Sequence, residues 1–183
     1  MDTESSSGAT NLTPGVKETL DAHAKLEAQV GEIYIAFAAT FGQNPELRGL
    51  WSTMAMEEGG HAALLRAVSK GLLAGMFQAR SILLPADISA MLATRVAEYH
   101  RQAQEGTSLD QALRITWELE CSELDFMREL LVAASNLGEL GFPTDVESKD
   151  KHIGLLRELI QKYTTDDGLR REVKFLSAER FPR

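Results

Sequence analysis

The stretch MEEGGHAALL, residues 56–65, carries the most informative pattern in this chain of 183 residues. Glu58 and His61 are separated by two residues, so a helix places their carboxylate and imidazole about one turn apart on one face. Apolar residues on either side recur at the helical period and turn this same face toward a core. Because a buried charge is costly unless it is paired or binds a metal, the stretch predicts a polar or metal-binding site inside a helical protein.

Helix-start signals extend this pattern along the chain. Pro14 and Pro45 stand where proline is favoured, at the first position of a helix. Capping boxes, in which a hydroxyl residue is followed three positions later by Glu or Gln, begin at Ser108 and Thr144. No sustained alternation of apolar and polar residues indicates a strand. These signals predict four long helices, over residues 14–42, 44–73, 108–138 and 144–164.

The lengths of the connections predict how these helices are arranged. The first two helices, and also the last two, are joined by short connections, which makes each pair antiparallel. Residues 74–107 form a long crossover with a helix of its own, and a short final helix is expected after Asp167. Two helical hairpins joined by one long crossover form a ferritin-like four-helix bundle. We therefore predict an all-α domain over residues 13–183, preceded by a disordered polar tail over residues 1–12.

Each of the four long helices carries an ionisable residue on its apolar stripe. These residues are Glu27 on the first helix, Glu58 and His61 on the second, Glu120 on the third and His152 on the fourth. In carboxylate-bridged two-metal sites, single glutamates from two helices meet Glu-x-x-His pairs from the other two. The five residues are therefore the candidate metal ligands.

The stretches that carry these residues resemble the rubrerythrin-like branch of the ferritin-like superfamily. The resemblance covers about residues 14–165 and rests on LEAQVGEIY (26–34), MEEGGHAALL (56–65), ELECSELDFM (118–127) and ESKDKHIGLL (147–156). It implies a di-iron centre whose chemistry includes peroxide reduction and iron oxidation, with electrons from an external donor. It also implies a homodimer.

The resemblance further implies how the ligands are divided between two metal positions. Glu27, Glu58 and His61 would bind one ion, Glu120 and His152 would bind the other, and Glu58 would bridge the two. The expected activity is redox chemistry in oxidative stress or iron handling, which leaves open whether the chain is an enzyme.

The fourth helix departs from the family pattern at Lys149, which stands where the second Glu-x-x-His element has its glutamate. Glu147 belongs to the capping box, and Asp150 lies about 100° further round the helix. Three carboxylates and one ammonium leave a negative charge that one divalent ion neutralises. We therefore expect at most one tightly held ion, which is iron or else manganese or zinc.

Two other functions remain open at this point. In the first, the polar core is hydrogen-bonded without metal, and the bundle serves dimerisation or partner binding. In the second, the chain is an oxidoreductase that acts on an organic substrate in a pocket of the bundle. The presence of Lys149 favours the first of these alternatives.

Composition excludes several classes of protein. With 19 basic and 27 acidic side chains, the chain lacks the basic face that nonspecific nucleic-acid binding needs. Cys121 is the single cysteine, so an intrachain disulfide, a thiolate zinc site and a Cys-ligated iron–sulfur centre are excluded. The sequence has neither a secretory signal nor an apolar stretch long enough to span a bilayer. We expect a cytoplasmic protein that does not bind membranes.

Some residues near the candidate ligands have alternative interpretations. His23 and His100 are expected to be structural or exposed. Tyr34 either packs in the core or donates a hydrogen bond to a ligand carboxylate. Gly59 and Gly60 weaken a helix interior. Their presence predicts one of two things: either the crossover or another subunit approaches the helix closely there, or that face of the helix tolerates substitution.

Overall fold

The computed structural model describes the backbone of residues 14–73, 86–133 and 146–180, and the side chains of residues 17–71, 90–121 and 153–174. Six helices occupy these ranges: α1 (Pro14–Thr40), α2 (Pro45–Leu73), α3 (Ala86–Glu105), α4 (Leu109–Ala133), α5 (Val146–Tyr163) and α6 (Asp167–Arg180). No strand occurs within the described ranges. The all-α prediction is confirmed, whereas the predicted tail over residues 1–12 lies outside the described residues.

The helices begin close to the predicted positions because side-chain oxygens satisfy their first N–H groups. Asn44 Oδ1 accepts bonds from two backbone N–H groups of the first turn of α2, at 3.0 and 3.3 Å. Ser108 Oγ accepts one from the backbone N–H of Gln111 at 3.2 Å. The side-chain Nε2 of Gln111 donates to Gln102 on α3 at 3.4 Å.

Helices α1, α2, α4 and α5 contact one another in a ring. α1 packs along α2, α2 contacts α5, α5 contacts α4, and α4 returns to α1. α3 lies against α1, and α6 lies against α5. α1 and α2 are antiparallel, because Asp21 meets Ser69 near one end of the pair and Phe37 packs on Trp51 near the other.

Polar contacts at one end of the ring fix how α2, α4 and α5 are aligned. Glu46 at the start of α2 accepts bonds from Lys162 and Tyr163 at the end of α5, each at 2.8 Å. Asp110 at the start of α4 accepts hydrogen bonds from Thr164 and Thr165, just after α5. α5 is therefore antiparallel to both α2 and α4.

The ring encloses an apolar core that also contains charged groups. Its largest buried side chains include Trp51, Tyr34 and Phe37, and the rings of Phe37 and Trp51 lie 5.3 Å apart. Among the described side chains, three buried carboxyl groups interrupt the core, those of Glu27, Glu58 and Glu120. Among the described residues, no helix has the length and apolar composition that a membrane span needs.

Candidate metal centre

Glu27 on α1 and both predicted ligands of α2 converge in the structure. His61 Nδ1 lies 3.1 Å from Glu58 Oε2 and 3.7 Å from Glu27 Oε2. Each of the three residues offers one ligand atom, and these atoms all lie within 4.8 Å of one another. Two carboxylate oxygens and one imidazole nitrogen form a group that could hold a metal ion.

The three side chains differ in their access to solvent. The carboxylates of Glu27 and Glu58 are 5% and 4% exposed, whereas the imidazole of His61 is 25% exposed. The two carboxylates therefore lie inside the helix ring and the imidazole lies at its rim. A low-dielectric interior strengthens the attraction between a cation and the two carboxylates, and this attraction has to offset the cost of removing the charges from water.

At Gly31, α1 lies against α2 beside Glu58, at a distance that would put an added Cβ in ordinary van der Waals contact. A Cβ atom added to Gly31 would lie 3.4 Å from the Cβ of Glu58 and 3.5 Å from the carbonyl oxygen of Ala55. Gly31 follows Glu27 by one helical turn on the same side of α1. The sequence interpretation missed this position, although its four-residue spacing from Glu27 was the available signal.

Gly59 and Gly60, for which the sequence predicted either close approach or a tolerant face, lie on an exposed part of α2. A Cβ atom added to either residue would meet nothing within 4 Å. The described part of α3 therefore does not approach Gly59 or Gly60, and the prediction of close approach by the crossover is wrong for it. The exposed position follows from helix geometry, because these two residues point away from the face that carries Glu58 and His61.

Glu120 on α4 is also buried, and it is bound by a tyrosine of α1. The Tyr34 hydroxyl donates a hydrogen bond to Glu120 Oε1 at 2.9 Å, and both residues are buried. The structure shows both interpretations of Tyr34, because its ring packs in the core and its hydroxyl donates to a predicted ligand carboxylate. One turn before Glu120, Thr116 Oγ1 accepts a bond from Trp51 Nε1 at 2.9 Å, which ties α4 to α2.

His152 and Lys149 belong to the backbone of α5, but their side chains lie outside the described residues. Their level along the bundle follows from the contact between Glu46 and Lys162. Glu58 lies about 12 residues after Glu46 on α2, and residue 150 lies about 12 residues before Lys162 on α5. Because the two helices are antiparallel, both positions are roughly 18 Å from the contact and therefore level with each other. The backbone positions of Lys149 and His152 fall within about one turn of that level.

The two remaining histidines of the described region have structural contacts. His23 is buried one turn before Glu27. Burial lowers the pKa of His23 from its ordinary value, and the nearby charge of Glu27 opposes that change. His100 Nε2 lies 2.9 Å from Glu32 Oε2 and links α3 to α1. These contacts agree with the structural roles expected for both residues.

Comparison with protein-family models, with curated proteins and with solved structures found no match to this chain. The geometry of the described residues therefore carries the functional argument. That geometry consists of three converging ligand atoms, the buried carboxylate of Glu120 held by Tyr34, and the backbone level of His152 on α5.

Proposed function

We propose that this chain is a ferritin-like four-helix bundle of the rubrerythrin type that binds one metal ion at Glu27, Glu58 and His61. The convergence of three ligand atoms within 4.8 Å is the observation that carries the proposal. The ring of α1, α2, α5 and α4 supports it, as does the position of α3 between the two helix pairs in the sequence.

Charge repulsion within the group favours occupation by a cation. The ligand oxygens of Glu27 and Glu58 lie within 4.8 Å of each other, and two unit charges at that limit repel each other by about 3.5 kcal/mol at an effective dielectric of about 20. A divalent ion between Glu27 and Glu58 replaces this repulsion with attraction to both. The donor set suits iron, manganese or zinc, and it does not choose among them.

The proposed activity is redox chemistry in oxidative stress or iron handling. Bound iron or manganese supplies the change of oxidation state, and an external donor supplies electrons. Glu27 and Glu58 hold the ion inside the bundle, and His61 holds it at the rim. Tyr34 holds one oxygen of the Glu120 carboxylate by a hydrogen bond.

Lys149 limits the number of ions in this proposal, because it occupies the sequence position of the second bridging carboxylate. Two unit charges about 4 Å apart interact by about 4 kcal/mol at a dielectric of about 20, and a divalent ion doubles that repulsion. Glu120 and His152 would not readily offset it. The wild-type chain should therefore hold at most one ion tightly, and Lys149→Glu should raise binding toward two.

Metal titration of metal-free protein tests the site. Fe²⁺ under anaerobic conditions, Mn²⁺ and Zn²⁺ are added in turn, and calorimetry and elemental analysis give affinity and stoichiometry. Glu58→Gln and His61→Gln should weaken binding by at least about 100-fold, because loss of even an outer-shell group costs 10–100-fold. His100→Gln is the matched control, since His100 is similarly exposed and also lies beside a carboxylate, that of Glu32.

The outcomes separate the proposed function from its alternative. Two ions per wild-type chain, bridged by Glu58, would overturn the counter-ion role of Lys149. If neither the wild type nor Lys149→Glu binds an ion, the bundle is a metal-free protein for dimerisation or partner binding. Peroxide consumption and Fe²⁺ oxidation by the wild type, and their loss in Glu58→Gln, test the redox activity.

A further inference from the structure

Two glycines form the part of α2 that separates its two proposed ligands. Gly59 and Gly60 are exposed, and a Cβ atom at either position would meet nothing within 4 Å. No packing in the described structure therefore requires glycine there. Glycine in a helix interior is nevertheless weaker than alanine, because its backbone has more freedom to lose and is open to water.

The consequence of this weakness depends on the position of the turn. Opening of α2 at Gly59 and Gly60 separates the carboxylate of Glu58 from the imidazole of His61. Glu27 stays in place, because it belongs to α1. The imidazole is also the ligand that contacts solvent most, with 25% exposure against 4% and 5% for the carboxylates.

We propose that metal exchange at this centre is gated by local opening of the Gly59–Gly60 turn. The proposal rests on the metal-binding function proposed above. In the closed helix, two buried carboxylates hold the ion from inside and the imidazole covers it from the rim. When the turn opens, Glu58 and His61 no longer act together, and the ion leaves toward solvent on the His61 side.

The chain offers a matched control for this gate. Gly49 also lies on the exposed face of α2, and a Cβ atom there likewise meets nothing within 4 Å. It precedes Glu58 by nine residues, or about 13 Å along the helix. Gly49→Ala should therefore stabilise the helix as a whole without changing the turn between the ligands.

The experiment measures release of Co²⁺ from loaded protein into excess chelator by stopped-flow absorbance. Each Gly→Ala change raises the free energy of opening the turn and should slow release by about 5-fold, corresponding to about 1 kcal/mol. The double variant Gly59→Ala/Gly60→Ala should therefore release Co²⁺ about 25-fold more slowly than wild type, and Gly49→Ala should release it at the wild-type rate.

Hydrogen exchange of the metal-free proteins gives a second readout, in which the amides of residues 59–62 should exchange more slowly in the double variant alone. Unchanged Co²⁺ release in the double variant overturns the gate. If Gly49→Ala slows Co²⁺ release as much as each substitution at Gly59 or Gly60 does, the gate is also overturned, because release would then follow opening of the whole fold. If the wild-type chain binds no Co²⁺, the proposed metal-binding function is refuted, and the proposed gate is refuted together with it.

Discussion

Replacing Tyr34 with phenylalanine removes one hydroxyl from the core and should lower the free energy of unfolding by about 1.5–3 kcal/mol. The hydroxyl donates to Glu120 Oε1 at 2.9 Å, and both residues are buried. Hydrogen bonds to charged groups are the stronger class, and a buried carboxylate that loses its donor has little water to replace it. The aromatic ring remains, so the apolar packing of Tyr34 is retained.

Tyr163→Phe is the matched control, because the same atom is removed from an exposed pair. The Tyr163 hydroxyl donates to Glu46 Oε2 at 2.8 Å, and Lys162 holds the same carboxylate. Water can replace the lost donor there, so the loss should be within about 0.5 kcal/mol. Urea denaturation of the metal-free proteins at neutral pH, followed by circular dichroism, measures both differences.

A double-mutant cycle isolates the bond between Tyr34 and Glu120. If the two groups interact as described, Tyr34→Phe combined with Glu120→Leu, which leaves no acceptor for the hydroxyl, should deviate from additivity by about 1 kcal/mol or more. Equal losses in Tyr34→Phe and Tyr163→Phe, or strict additivity in the cycle, would refute the argument from burial.

Three further predictions concern the fold and the assembly. Gly106, just after α3, has φ of 98°, a conformation that is costly for alanine. Gly106→Ala should therefore lower the free energy of unfolding by about 1 kcal/mol. Thermal unfolding measures this, and an unchanged melting temperature would contradict it. Hydrogen bonds from Thr164 and Thr165 lower the pKa of Asp110 from its ordinary 3.8, so its stabilisation is complete above that pH and is lost as the pH falls through the lower folded-state value. The melting temperature of the wild type should therefore fall more steeply below pH 4 than that of Asp110→Asn, and parallel curves would contradict this. Light scattering should give a homodimer, and only the 20.1 kDa monomer mass in concentrated solution would contradict it.

The part of the site that local sequence determines could be predicted. Glu58 and His61 share a face because the helical period places residues three apart on one side. Glu27 faces them because apolar neighbours at the same period turn that side of α1 toward the core. The predicted helix starts were also close, since Asn44 and Ser108 act through backbone groups only a few residues away.

The distances between helices could not be predicted in this way. The approach of α1 to α2 at Gly31 depends on residues of both helices, because the nearest atoms belong to Glu58 and Ala55. Whether the core residue Tyr34 also donates a hydrogen bond depends on Glu120, which lies 86 residues away in the sequence. Helical periodicity identifies the face of a residue, but it does not identify the partner across the core.

The geometry of the candidate centre therefore depends on contacts well outside it. A helix is a stiff rod that rises 1.5 Å per residue, so a contact that fixes one end also fixes the level of every side chain along it. Glu46 with Lys162 aligns α2 with α5, and Asp21 with Ser69 aligns α1 with α2. A shift of a single residue in either alignment would displace one ligand by about 1.5 Å relative to another, and so large an error degrades a metal site. The contact between Asp21 and Ser69 thus bears on the level at which Glu27 meets Glu58 and His61, and the contact between Glu46 and Lys162 bears on the level of His152 on α5.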